Sequence, residues 1–261
     1  MERSLWTAAA GMAAQQTNMD VVANNLANVN TTGFKKSRAE FVDLLYQTIN
    51  APGTASSSST NLPTGVQIGL GTRTAAIKRI FEQGTFKPTE NPLDIVIEGK
   101  GFFKLTRPDG TQAFTRDGSF AIDENGNLVN ALGYQLDPPL TIPQDALGVT
   151  IGRDGTVSVR LADETVSQIG NMELASFVNP GGLQSIGNNL FVTSVASGDP
   201  LLGTPGQDGL GELGQGFLET SNVNIVGELV DMISAQRAYE LNSRSIRAAD
   251  EMLKQLAQLV R

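Results

Sequence analysis

Apolar residues recur in steps of three and four from Leu5 through Ala8, Met12, Met19, Val22 and Leu26 to Val29, with Gln15 on the same line. That spacing predicts an amphipathic N-terminal helix carrying a heptad-like stripe. Gly33, after Thr31 and Thr32, is the permissive residue expected just past its end. The last stretch repeats the rhythm at Met232, Ala235, Tyr239, Asn242, Ile246, Ala249, Leu253, Leu256 and Val260. Asn224 is placed to cap this second helix, and Glu228 and Asp231 favour its positive end. Both ends of the chain are therefore expected to be long helices.

Between them the period changes from helical to alternating, as in "TVSVRL", where Val157, Val159 and Leu161 share one face. Turn signals recur in "RPDG", "TRDG", "DENGN" and "GRDG". The stretch "NAPGTASSSSTNLPTG", from Asn50 to Gly65, is too polar to nucleate structure alone and reads as a linker or extended arm. The expected class is α+β. Residues 1–45 with 217–261 form a helical assembly domain, 46–65 an extended polar arm, and 66–216 a β-rich domain.

Composition removes several function classes. The chain of 261 residues has no histidine, which eliminates the usual neutral-pH general base and the commonest transition-metal ligand. It has no cysteine either, so thiolate chemistry and disulfides are excluded. A net charge of -8 argues against nucleic acid, which calls for a basic face. Residues 1–50 carry four basic and four acidic side chains and residues 216–261 carry five and six, so nearly all of that charge falls on the middle. Near-neutral ends permit dense packing against copies. No stretch approaches the length of a transmembrane helix, and "MERSLWTAAAGMAAQQ" has neither the basic nor the hydrophobic region of a signal peptide.

The remaining motifs have bland explanations. "GLGELG", Gly209 to Gly214, matches a dinucleotide fingerprint by letter but follows "TPGQD" and precedes "QGFLET", without the strand and helix such a site requires. Asp109, Asp117, Asp123 and Asp154 are the carboxylates a wall-cleaving hydrolase would pair, yet each sits in a turn where local hydrogen bonding explains it. "DENGN" lacks the alternating oxygen ligands of a calcium loop. No metal, cofactor or catalytic residue is expected. The two stripes permit an ordinary helical layer packed on the same molecule. The polar residues on the seam, Gln15 and Asn242, with Asn18, Asn24, Asn25 and Asn28 around it, favour an assembly that needs fixed register.

Two long stretches, "TNMDVVANNLANVNTTGFKKSRAEF" and "LETSNVNIVGELVDMISAQRAYELNSRSI", resemble the terminal signatures of the bacterial flagellar rod and hook proteins. "EGKGFFKL", "AFTRDGSF", "NGNLVNALGYQL" and "TIGRDGTVSV" are similar to the β-domain segments of the rod class, so the resemblance spans nearly the whole chain. It implies that the terminal helices pair as a coiled-coil inner domain beside an export channel. It implies a structural subunit, without catalysis, that self-assembles helically into the distal rod, the drive shaft that crosses the periplasm and passes torque to the hook. The assembly interface is then expected at Leu5, Met12, Met19, Val22, Leu26, Val29, Met232, Tyr239, Ile246, Leu253 and Leu256. Implied partners are further copies, proximal rod proteins, the hook protein, the P- and L-ring bushings, the rod cap and the gate of the flagellar type III export apparatus. "FVDLL" resembles an export-gate motif through Phe41 and Leu45, and an ordinary hydrophobic contact explains it as well. The alternatives are a proximal rod or hook subunit of the same family and, from another class, the carboxylate-dependent hydrolase.

Overall fold

A computed structural model describes residues 2–51, 55–57, 60–61, 64–163 and 165–259. The chain divides into two units. One comprises Met1–Ala27, Ser37–Arg79 and Asn224–Arg261, the other Asn28–Lys36 and Ile80–Val223.

The first unit contains both long helices, α1 (Glu2–Ala27) and α2 (Ile225–Leu259). Asn224 caps α2 as its position suggests: the Gly227 N–H donates to its side-chain oxygen at 3.0 Å, and the Glu228 N–H to its carbonyl at 2.9 Å. The helices pack against one another through small side chains. A Cβ on Gly11 of α1 would lie 2.8 Å from the Asn242 amide nitrogen, so the backbone approaches closely there. The other fixed point is Asn25, bonded to Glu228. Going from Asn25 back to Gly11 corresponds to going from Glu228 forward to Asn242, so the pair is antiparallel. Ala8, Ala14, Val21 and Val22 on α1, and Ala235 and Ala249 on α2, are buried.

α1 ends earlier than its stripe suggests. Val29 lies beyond Ala27, where the Thr31 N–H bonds the Asn28 carbonyl at 3.2 Å and the Thr31 hydroxyl bonds the Asn28 side chain at 3.1 Å. Such local alternatives compete with helix extension. The rest of the unit is an antiparallel β ribbon, with Ser37–Asp43 paired to Thr72–Arg79 and Tyr46–Asn50 paired to Val66–Gly69. Ala55–Ser57 pairs with Thr60–Asn61 beyond them. Thus residues 37–79 group with the helices, and the start of the polar stretch is a paired strand, because its partner lies far along the chain where no local pattern reveals it. The side chains of residues 52–63 lie outside the described residues.

The second unit is β-rich. Nine antiparallel strands form its largest sheet, and Ala146–Ile151, Thr156–Leu161 and Val166–Asn171 form a three-stranded one. The central strand, Phe102–Thr106, is buried on both faces. Phe103 enters the main core and packs edge-to-face on Phe120 at 5.1 Å, while Phe102 joins Phe114, Phe177 and Phe191 on the other side. This explains why two phenylalanines stand side by side in "GFFKL" instead of alternating with polar residues, while the buried Lys104 is paired with Asp137 at 3.0 Å. Among the described residues no helix is long and apolar enough to cross a membrane.

Gly118 sits where a side chain has no space, since its Cβ would fall on the Ile95 carbonyl oxygen. Gly118→Ala is expected to cost the β-rich unit at least about 1–3 kcal/mol through forced backbone movement. Gly148→Ala, where the nearest atom is the far end of Arg160 at 3.8 Å, serves as the control. Denaturant unfolding followed by near-ultraviolet dichroism separates them, and equal midpoints would contradict the packing argument.

Candidate assembly surfaces and the anchors behind them

Chain crossings between the units occur after Ala27, Lys36, Arg79 and Val223. Each unit ties its own side of these crossings with an asparagine. In the helical unit Asn25, 1% exposed, donates both amide hydrogens, to the Ser37 carbonyl at 2.8 Å and Glu228 Oε2 at 3.0 Å, and accepts the Ser37 N–H at 2.8 Å. One side chain therefore joins the end of α1, the start of the ribbon and the start of α2. In the β-rich unit Asn222 accepts the Lys36 N–H at 2.8 Å and donates to the carbonyls of Ile80 and Glu82 at 3.0 and 3.1 Å.

Beside Asn222 in the same unit lies a buried charge cluster. Lys35 Nζ is 2.6 Å from Glu219 Oε1 and 2.7 Å from the Glu82 carbonyl, and both side chains are essentially inaccessible to water. The Gly84 N–H donates to Glu219 Oε1 at 2.9 Å, and Arg116 Nε stands 3.4 Å from Oε2. Arg116 spends its other donors on the Gly101 and Gly99 carbonyls at 3.0 and 2.7 Å and lies over the Phe102 ring. Burial pulls the Lys35 ammonium below the usual lysine range, opposed in part by Glu219, and burial likewise lowers Arg116.

The stripe residues divide by exposure. Val22 is buried, Leu5, Met12, Met19 and Leu26 are half-buried, and Val29 is half-buried in the turn after α1. On α2, Met232 and Ile246 are half-buried, Tyr239 and Leu253 are exposed, and the side chain of Leu256 lies outside the described residues. Phe41 and Leu45 are both exposed, Leu45 at 83%. The single-stripe reading overlooked a second apolar line on α2, where Val226, Leu229, Val230 and Ile233 are all exposed. "IVGELVDMI" carries that signal, because its apolar residues exceed one helical face.

The other motifs serve local structure. Glu212–Gln215, which overlaps the second half of "GLGELG", is a strand paired with Ile95–Glu98. Asp109, Asp123 and Asp154 are held below the usual carboxylate range by hydrogen bonds from Thr111, Asn127 and Thr156 respectively. Asp117 is pushed up by burial, although Ser119 donates to it through both N–H and hydroxyl. Each carboxylate closes its own turn.

Three family models match the chain. "Flagella basal body rod protein" covers residues 5–35, "Flagellar hook protein FlgE/F/G D1 domain" covers 96–159, and "Flagellar basal body rod FlgEFG protein C-terminal" covers 215–259. The flagellar basal-body rod protein FlgG of Buchnera aphidicola (Schizaphis graminum) is 51% identical over 98% of this chain and 99% of its own. That of Borreliella burgdorferi is 52% identical over 97% of each. The chain belongs to the FlgG family of flagellar basal-body rod proteins.

A hook protein of Helicobacter mustelae matches at 46% identity, but over 51% of this chain and 30% of its own, so the rod relatives alone among these correspond end to end. In this rod-family chain Asn25 and Lys35 fall within the first matched segment, and Glu219 and Glu228 within the last. The residues that tie each unit's crossings thus lie in the two terminal signatures.

Glu219→Gln leaves two buried cations without their carboxylate and is expected to cost about 3–5 kcal/mol. Urea unfolding of the full chain reads this, and a loss under about 1 kcal/mol would count against a buried cluster. Asn25→Asp sets a carboxylate against Glu228 and loses both amide donors, an expected cost of about 1–3 kcal/mol. Adding Glu228→Gln is expected to recover part of that loss in a double-mutant cycle. Absence of any recovery would show that the two side chains do not interact.

Proposed function

We propose that this chain is a structural subunit that self-assembles helically into the distal rod of the flagellar basal body, the shaft that transmits torque to the hook. The observation that supports it most directly is end-to-end correspondence with basal-body rod proteins. The structure adds a physical motive. The paired helices leave Leu5, Met12, Met19, Leu26, Met232 and Ile246 half-covered, and Tyr239 and Leu253 exposed. Apolar area of this kind is removed from water when copies pack.

In this reading the helix pair acts as a coiled-coil inner domain on the channel side, with Val22, Val29 and Leu256 completing its interface. The β-rich unit faces outward, and the ribbon around Tyr46–Gly65 extends as an arm towards neighbouring subunits. Proximal rod proteins and the hook protein bound the shaft at its ends, the P- and L-rings surround it, and the rod cap and export gate handle the chain during delivery through the type III apparatus. Phe41 and Leu45, both exposed, are available to the gate before assembly. Nothing in the turn-bound carboxylates favours a hydrolase.

Electron microscopy of the purified protein at high concentration tests the assignment. Straight hollow rods are expected. Curved tubes would favour a hook subunit, and failure to polymerise under any condition would remove the assembly reading. Leu26→Asp, which sets a charge on the half-buried stripe, is expected to block polymerisation while the β-rich unit keeps its unfolding midpoint. Rods formed by this variant would exclude Leu26 from the interface.

A further inference from the structure

α2 has a buried face towards α1 and, opposite it at the start of the helix, an exposed apolar one. Glu228, Ala235 and Ala249 are buried, and Asn242 meets Gly11 of α1 along the same line. At about 100° per residue, Val226, Leu229, Val230 and Ile233 fall on the opposite side of the helix. They are 71%, 42%, 56% and 56% exposed and form a continuous ridge over its first turns. Beyond Ile233 this outer face turns charged, with Arg237, Glu240, Arg244, Arg247 and Glu251. The apolar ridge is therefore local, and among the described residues it is left exposed.

The same unit carries a groove of about 550 Å³ walled mostly by small side chains such as Thr7, Ala8, Gly69 and Ser245, with Asn242 and the larger Arg3 and Ile68 also on its wall. Small walls admit a helix ridge closely. The groove lies farther along α2 than the ridge, by about 20 Å at 1.5 Å per residue. Ridge and groove are thus different surfaces, displaced along one axis.

We propose that the Val226–Ile233 ridge of each copy docks in the Thr7–Ala8–Asn242 groove of the next. This rests on the reading of the chain as a rod subunit and names the surfaces that reading requires. Contact between two unlike surfaces of identical copies is head-to-tail and, where the rotation does not close into a ring, continues as an open helical array. Ridge on ridge, by contrast, pairs two copies about a two-fold axis and closes, hiding the ridge from any third. An unlimited shaft needs the first geometry.

Because the natural chain lacks cysteine, introduced thiols report on contacts without background. The variant Thr7→Cys with Val230→Cys places both surfaces in one chain. In the antiparallel register set by Gly11 and Asn242, Thr7 lies many residues along α2 from Val230, beyond the roughly 7 Å Cα separation a disulfide spans. Any bond between the two positions is therefore between copies. Oxidation during assembly is expected to give a covalent ladder of dimers, trimers and higher species, resolved by non-reducing electrophoresis, with neither single variant passing dimer. A double variant that forms rods under reducing conditions but gives no ladder overturns the pairing and leaves the rod reading intact. Dimers alone, equally strong with Val230→Cys by itself, would establish the closed ridge-on-ridge contact and overturn it too. A ladder without rods supports the pairing and removes the rod reading, and neither rods nor ladder from double variant and natural chain alike removes both.

Discussion

The ion pair between Lys35 and Glu219 sets conditions that much of the β-rich unit has to meet. Removing a lysine and a glutamate from water is tolerable only when each gains close, well-directed partners. Glu219 gains Lys35, the Gly84 N–H and the flank of Arg116, and Lys35 gains the Glu82 carbonyl. Arg116, itself buried, then needs the Gly99 and Gly101 carbonyls, which fixes the turn before the central strand. Gly33 follows from the same geometry. Its φ of +68° and a virtual Cβ 2.8 Å from the Arg116 and Asp117 backbone leave room only for glycine, and its N–H bonds the Glu219 carbonyl at 2.8 Å. A buried ion pair contributes little net stability compared with apolar packing, but it accepts only one arrangement of the segments that supply it. Here those segments come from residues 33–35, 82–84, 99–116 and 219, so the cluster selects a single way of joining stretches far apart in sequence.

Asparagine in and around α1 follows a related logic. It is a poor helix former because its side chain competes for backbone hydrogen bonds. At Asn25 that capacity is directed outward, onto the Ser37 backbone and the Glu228 carboxylate. At Asn28 it supports the turn that ends the helix, and at Asn242 the polar group lies against Gly11 of α1. Helix propensity is given up for specific contacts at defined positions. A leucine at any of these places would bury more area but would fix neither the ribbon nor the register.

Much of this architecture was legible in the sequence. The helical period marked α1 and α2, Asn224 announced its cap, and the Asp turns betrayed the β-rich middle, because each depends on neighbours close in the chain. What escaped the sequence depends on distant partners. "KK" and "LET" look like surface charge, and only folding shows that Lys35 and Glu219 are buried together. Tyr46–Asn50 has every side chain exposed, so it reads as an arm even though its backbone pairs with Val66–Gly69. The stripe overruns the end of α1 because the apolar Val29 keeps its rhythm after the backbone has left the helix. Of the candidate surfaces, the stripes follow from the helical period, whereas the second face of α2 emerges only from which of its apolar residues stay exposed.

The helix pair itself carries the last step. Gly11 lies against Asn242, and Ala8, Ala14, Ala235 and Ala249 are buried, so near approach is permitted but little apolar area is removed, since burial is worth only about 0.8 kcal/mol per CH2. Ordering the backbone costs about 1–2 kcal/mol per residue, and two helices of 26 and 35 residues order many. The larger side chains that would offset this, Leu5, Met12, Met19 and Leu26 on α1 and Val226, Val230 and Ile233 on α2, are the ones left half-covered or exposed. The pair is thus close-packed where geometry must be exact to the ångström and incomplete where hydrophobic energy is gained. If copies associate as proposed, a unit built this way would draw stability from binding, and order in the helices and association of copies would rise together with concentration.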